Sequence, residues 1–220
     1  MNRRDFSTRL ALSTLAGAIP GLAMAQGGPL EGRHYQKLGT PVPVAPGKIE
    51  VVEFFWYGCP HCYAFEPVVE NWTKQLPADV GFRRSHVAFR ENTKTHQRSF
   101  FALEALGREA EFRPKIFNAI HQQRQPLDTA DSMAAFLGKN GLEAPKFLEV
   151  YNSFSVQSKC QQAVKLSEAY RIDGVPAIGV GGRFLTSPSM AGQGAGENVA
   201  LQQAVVTASF LIERVRSGKV

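Results

Sequence analysis

Two cysteines separated by two residues, Cys59-Pro60-His61-Cys62, follow directly on the apolar run Ile49 to Tyr57. That junction restricts the local fold more than any other stretch of the chain. The run reads as a buried strand. Pro60 reads as the first residue of a helix, because its missing N–H costs nothing there and its fixed φ suits the first turn. Cys59 then becomes the N-cap, where its side chain meets the unpaired N–H groups of the next residues and the positive end of the helix dipole. A thiol so placed ionises easily, and the thiolate is the form that reacts. The pair can close to a disulfide and reopen without displacing the fold.

The rest of the chain gives that pair a setting. Its 220 residues, 44% apolar, suffice for one domain or for one domain with an insertion. Arg3-Arg4-Asp5-Phe6 makes a charged start, Leu10 to Leu22 a weakly apolar stretch broken by Gly17 and Pro20, and Ala23-Met24-Ala25 an A-x-A cleavage site. The stretch is shorter than the roughly 20 apolar residues a spanning helix needs. Residues 1–25 are therefore expected to be an export signal, with the twin-arginine and general secretory routes both open. The net charge of +6 is spread without a Lys/Arg block, so nothing points to nucleic acid. Export implies an oxidising compartment, and three cysteines are too few for a disulfide scaffold, so Cys59 and Cys62 are expected to be a working pair.

Periodicity orders the elements. His34 to Leu38 is a candidate edge strand, Lys48 to Tyr57 a central strand, Pro60 to about Leu76 an amphipathic helix, and Val80 to Phe89 a further strand. From Thr93 to about Phe154 only helical stripes follow: Phe100, Leu103 and Leu106; Ile116, Phe117 and Ile120; Met133, Phe136 and Leu137; Phe147, Leu148 and Tyr151. Val156 to Tyr170 is a fifth helix. Ala177 to Val180 and Arg183 to Thr186 flank Gly181-Gly182, a two-residue hairpin signal, and Glu197 to Val215 closes the chain as a helix. A helical block inserted into a small α/β sheet accounts for this order.

Alternatives exist for each motif. A static disulfide between Cys59 and Cys62 would constrain very little chain. A zinc site would need two further ligands, and no second Cys-x-x-Cys exists. His61 can supply a hydrogen bond or a positive charge beside the Cys59 sulfur, or be a solvated loop histidine. Glu53, in an otherwise apolar strand, can be an edge carboxylate facing water. Cys160 shares a stripe with Val156, Ala163, Val164 and Ser167 and reads as a small buried hydrophobe, the alternative being an exposed thiol. His34, His86, His96 and His121 lack ligand-like spacing and read as structural or surface residues.

The segment Val52-Glu53-Phe54-Phe55-Trp56-Tyr57-Gly58-Cys59-Pro60-His61-Cys62-Tyr63 resembles the active-site segment of the DsbA family of periplasmic thiol:disulfide oxidoreductases, in the thioredoxin superfamily. Gly174-Val175-Pro176-Ala177 resembles that family's cis-proline loop, and Glu31-Gly32-Arg33-His34-Tyr35 its first strand. The resemblance implies an α/β thioredoxin fold with an inserted all-helical domain. Residues 26–92 and 156–220 would form the thioredoxin-like domain and 93–155 the insertion. It implies that Cys59 and Cys62 are the redox-active disulfide, with Cys59 attacked by substrate and Cys62 the resolving thiol. Pro60 and His61 would tune the pair. Glu53 would be a buried acid exchanging a proton with Cys62, and Val175 and Pro176 would bind substrate. The family often pairs that acid with a lysine; the matching position here is Arg84, which does not release its proton, so a two-residue relay is in doubt.

The implied activity is donation of the Cys59–Cys62 disulfide to reduced, unfolded exported proteins in the periplasm, with reoxidation by a DsbB-like membrane quinone reductase. The protein would be a monomer, with no cofactor and no metal. A disulfide isomerase or reductase is the alternative within the class; a non-redox peptide-binding chaperone or metal carrier is the alternative outside it.

Overall fold

The computed structural model describes residues 27–219; the expected export signal, residues 1–25, lies outside them. Five strands form one mixed sheet in the order β1 (Gln36–Lys37), β5 (Phe184–Thr186), β4 (Ala177–Val180), β2 (Ile49–Phe55), β3 (Val80–His86). β2 runs parallel to β3 and antiparallel to β4. Val51 to Phe55 are all buried, which is why β2 reads as a continuous apolar run rather than as an alternation. The β4–β5 turn places Gly181 and Gly182 at φ of 59° and 64°. A Cβ on Gly182 would stand 2.1 Å from the Val42 carbonyl oxygen, so this position requires glycine for space as well as conformation.

α1 (Pro60–Thr73) and α8 (Glu197–Arg216) cover one face of the sheet, where Val51, Ile178 and Val180 meet Phe65, Val69, Leu201, Ala204 and Leu211. On the other face Val52, Phe54 and Ala177 pack against Tyr170 and Leu185. Between β3 and β4 the chain makes α2 (Lys94–Ala105), α3 (Glu109–His121), α4 (Ala130–Lys139), α5 (Ala144–Tyr151) and α6 (Phe154–Ala169). The expected stripes supply this block's core, including Phe100, Leu103, Ile116, Phe117, Met133, Leu137 and Phe147. Phe55, Tyr57, Cys59 and Cys62 belong to that same core.

Several expectations need correction. Glu31 to Tyr35 is not a strand. Gly32, at φ 76°, lets the chain turn, with hydrogen bonds from Gly32 N to Tyr35 O and from His34 N to Leu30 O, and only Gln36 and Lys37 pair with β5. α1 stops at Thr73 and β3 at His86. α6 starts at Phe154, capped by Ser153, and its Val156 and Ala163 pack into the helical core. Cys160 is half-buried rather than buried, and its neighbour Val164 is exposed, so the stripe's buried centre is Val156, Ala163 and Ser167. A short helix α7 (Pro188–Gly192) was not expected, although Ser187-Pro188 is its cap and first residue.

Candidate active site

Cys59 is the N-cap of α1, with Pro60 as the first helical residue. Its Sγ accepts from the Cys62 N–H at 3.4 Å, and its carbonyl accepts from Tyr63 N at 3.0 Å. Both thiols are free; Cys59 is 6% exposed and Cys62 1%. The environment drives the two thiols apart. A hydrogen bond from the Cys62 thiol, helped by the backbone N–H groups of Cys62 and His61 and by the His61 charge, lowers Cys59 to about 6 against the burial that opposes it. Burial, and then donation to Cys59, push Cys62 well above the ordinary thiol range.

The Val175–Pro176 peptide bond is cis. The loop lies against the reactive sulfur: the Cys59 thiol reaches the Val175 carbonyl at 3.4 Å. An apolar groove of about 510 Å³ opens beside it, walled by Val175, Pro176, Ile172, Met190 and Leu201 with His61 at its rim.

His61 is mostly exposed and points its Nδ1 at Glu197 Oε1, 2.5 Å away. The hydrogen bond that the ring N–H donates to that carboxylate raises the imidazole above its ordinary value. His61 therefore acts on Cys59 through its charge and its backbone N–H, while its ring pairs elsewhere. Sequence reasoning missed Glu197, which lies in the first turn of α8; an acidic residue there was legible as a helix-start preference, but its partner was not. Exposed pairs contribute about 0.2–1 kcal/mol. In Glu197→Gln the His61 ring should titrate nearer its ordinary 6.5, with little change in stability, as followed by ring-proton NMR; an unmoved His61 titration would contradict the pairing.

Glu53 does not face water. It is 1% exposed, and its Oε2 accepts from Arg84 Nε at 2.9 Å. Burial raises it to about 7 against the pull of Arg84, and its charge adds to the upward push on Cys62. Arg84 sits opposite Glu53 in the β2–β3 register and pairs with it directly.

Three histidines read only as structural or surface residues brace the loop that delivers Cys59. His86 Nε2 accepts from Tyr57 N at 3.2 Å, while its Nδ1 lies 2.9 Å from the Val87 carbonyl, which places the proton on Nδ1. Trp56 Nε1 donates to His96 Nδ1 at 3.0 Å, and His121 Nε2 donates to the Tyr57 carbonyl at 2.8 Å. Burial depresses His86 and His96, so both stay neutral. No cluster of metal-ligating side chains occurs among the described residues.

A Cys-x-x-Cys pair capping the helix after the central strand, faced by a cis-proline loop, defines a thioredoxin-fold protein thiol:disulfide oxidoreductase. The chain belongs to the family of the DSBA-like thioredoxin domain, whose family model matches residues 50–204. It is 46% identical over 184 residues to the thiol:disulfide interchange protein DsbA of Burkholderia cepacia, covering 81% of this chain and 87% of that one. The crystal structure of Pseudomonas aeruginosa DsbA superposes with a TM-score of 0.77 at 42% identity, covering 86% of this chain and 95% of that one. The oxidoreductase DsbA from Xylella fastidiosa does so with a TM-score of 0.75 at 28% identity, covering 86% and 98%.

Proposed function

We propose that this protein is a dithiol oxidase that passes its Cys59–Cys62 disulfide to reduced, unfolded exported proteins. The observation that carries the reading is the opposite displacement of the two thiols, Cys59 towards thiolate and Cys62 towards thiol. A substrate thiolate attacks Cys59; the Cys59–Cys62 bond breaks, a bond from Cys59 to the substrate sulfur forms, and Cys62 departs with the electron pair and takes up a proton. A second substrate thiolate then attacks the substrate sulfur, forming the substrate disulfide and expelling Cys59 as thiolate. The substrate is oxidised by two electrons and the protein reduced by two. Whatever stabilises the Cys59 thiolate improves the leaving group and favours the reduced protein.

The other roles follow from position. Pro60 and the α1 N-terminus set the field at Cys59, and His61 adds charge. Glu53 supplies the proton to Cys62. Val175 and Pro176 offer backbone to an extended substrate beside the apolar groove. Among the described residues, 27–92 and 156–219 make up the thioredoxin-like unit and 93–155 the helical insertion, with α6 spanning the junction. The protein works as a monomer in the periplasm after loss of residues 1–25, and a DsbB-like membrane quinone reductase restores the disulfide.

The test is the redox equilibrium with glutathione together with stoichiometric transfer to a reduced, unfolded protein. An oxidase gives full transfer and a potential well above that of thioredoxin, which is about −270 mV. A potential near thioredoxin's would replace this reading with a reductase. Binding of unfolded peptide without any transfer would replace it with a chaperone.

A further inference from the structure

Between β2, β3, α1 and α3 lies a cluster of buried charge of which the exchange chemistry above uses one corner. Arg84 donates through Nε to Glu53 and through Nη2 to Glu70 Oε1, each at 2.9 Å, with Glu66 Oε1 3.8 Å from Nη2. Arg113, on α3, donates through Nε to Glu66 at 2.5 Å, through Nη2 to Glu70 at 2.7 Å and through Nη1 to Glu109 at 2.5 Å. The other oxygen of Glu109 accepts from the Tyr57 hydroxyl at 3.1 Å. Arg113 is 6% exposed although it carries a full charge.

The charges are uneven. The carboxyl groups of Glu53, Glu66, Glu70 and Glu109 face two guanidinium groups, those of Arg84 and Arg113. Arginine keeps its proton; Glu70 is 37% exposed and can hold its charge towards water, so the proton that relieves the excess of acid falls to a buried member. Glu53 is the deepest of the four. Arg84 from β3 bonds to it directly, the charges of Glu66 on α1 and Arg113 on α3 act on it, and its own charge acts on Cys62 of α1.

We propose that Arg113 is a positioning residue for thiol exchange: by holding Glu66, Glu70 and Glu109 it sets the charge felt at Glu53, and so makes the proton given to Cys62 depend on the helical insertion. The inference rests on the reading of Glu53 as that proton's donor. When the Cys59–Cys62 bond breaks, the Glu53 carboxyl proton moves to the departing Cys62 sulfur and a carboxylate remains opposite Arg84. The positive charge of Arg113 lowers the cost of that carboxylate, and Glu66 raises it.

The test is a carboxyl-carbon NMR titration of Glu53 in the mature protein, with the pH profile of reduction of the oxidised protein by a small thiol. Arg113→Met should tighten the hold of Glu53 on its proton about tenfold, one pKa unit. Arg113→Lys, which keeps the charge, should reverse most of that change. Glu66→Gln should loosen the hold by a similar factor, and it leaves Arg113 bonded to Glu70 and Glu109, so it decides the matter alone if Arg113→Met does not fold. Equal titrations in Arg113→Met and Arg113→Lys, or an unmoved Glu53 in Glu66→Gln, overturn the proposal while a changed rate profile in Glu53→Gln keeps the Glu53 reading. An unchanged profile in Glu53→Gln overturns both.

Discussion

Replacing Cys59 by serine abolishes disulfide transfer, and Cys62→Ser, once its Cys59 is loaded with glutathione as a mixed disulfide, exchanges that glutathione for a single-thiol substrate and holds it covalently. Serine at position 59 removes the sulfur that a substrate can attack and leaves Cys62 buried at 1% exposure. Serine at position 62 removes the thiol that closes the protein disulfide; a single-thiol substrate attacking glutathione-loaded Cys59 expels glutathione as thiolate and, having no second thiol, stays bonded to Cys59. Transfer should fall to the uncatalysed background in both variants. Mass spectrometry of quenched mixtures distinguishes them, because only Cys62→Ser carries substrate mass. Cys160→Ser should transfer normally: burial pushes that thiol up to about 11, so it is scarcely ionised at neutral pH. Transfer by Cys59→Ser, or substrate mass held on Cys160, would place the reactive sulfur elsewhere.

The second large effect is on stability. The Cys59 thiol is held at about 6 against an ordinary 9.0. For an acid whose folded pKa lies below its unfolded pKa, the stabilisation is present above the unfolded value and is lost as pH falls through the folded one. Only the reduced protein has this thiol and that of Cys62, whose raised value subtracts only as pH climbs past the ordinary 9.0, whereas Glu53 is present in both forms. The reduced form should therefore be the more stable at pH 9, on the order of 3 kcal/mol. The disulfide closes too short a loop to offset that. The gap should narrow as pH falls from 9 and be nearly gone at about 5. Denaturant unfolding of both forms at three pH values measures it. A more stable oxidised form at pH 9, or a gap that ignores pH, would show that the Cys59 thiolate is not stabilised by the fold.

The features legible in the sequence are those decided by neighbours along the chain. Pro60 after Cys59 determines a cap, Gly181-Gly182 a hairpin, and the stripes from Phe100 to Phe147 a helical core. What escaped depends on residues far apart in sequence. Glu197 meets His61 across 136 positions, and His86, His96 and His121 brace Trp56 and Tyr57 across 29 to 64. Isolated histidines without ligand spacing carry no sign of such work. Glu53 was singled out because a charge in an apolar strand is conspicuous, but its burial and its bond to Arg84 follow from the parallel register that sets residue 53 opposite residue 84. The Glu31–Tyr35 turn is not legible, because a few residues around one glycine suit a strand or a turn equally.

Cys59 and Cys62 share their packing with the helical insertion, and that has a consequence for local opening. Segments that pack together tend to open together and to protect their amide hydrogens together. The buried Cys62 sulfur lies in one cluster with Phe55 of the sheet and with Phe117, Met133 and Leu137 of the insertion. Amide hydrogen exchange at Cys62 should therefore follow that of the core helices of the insertion.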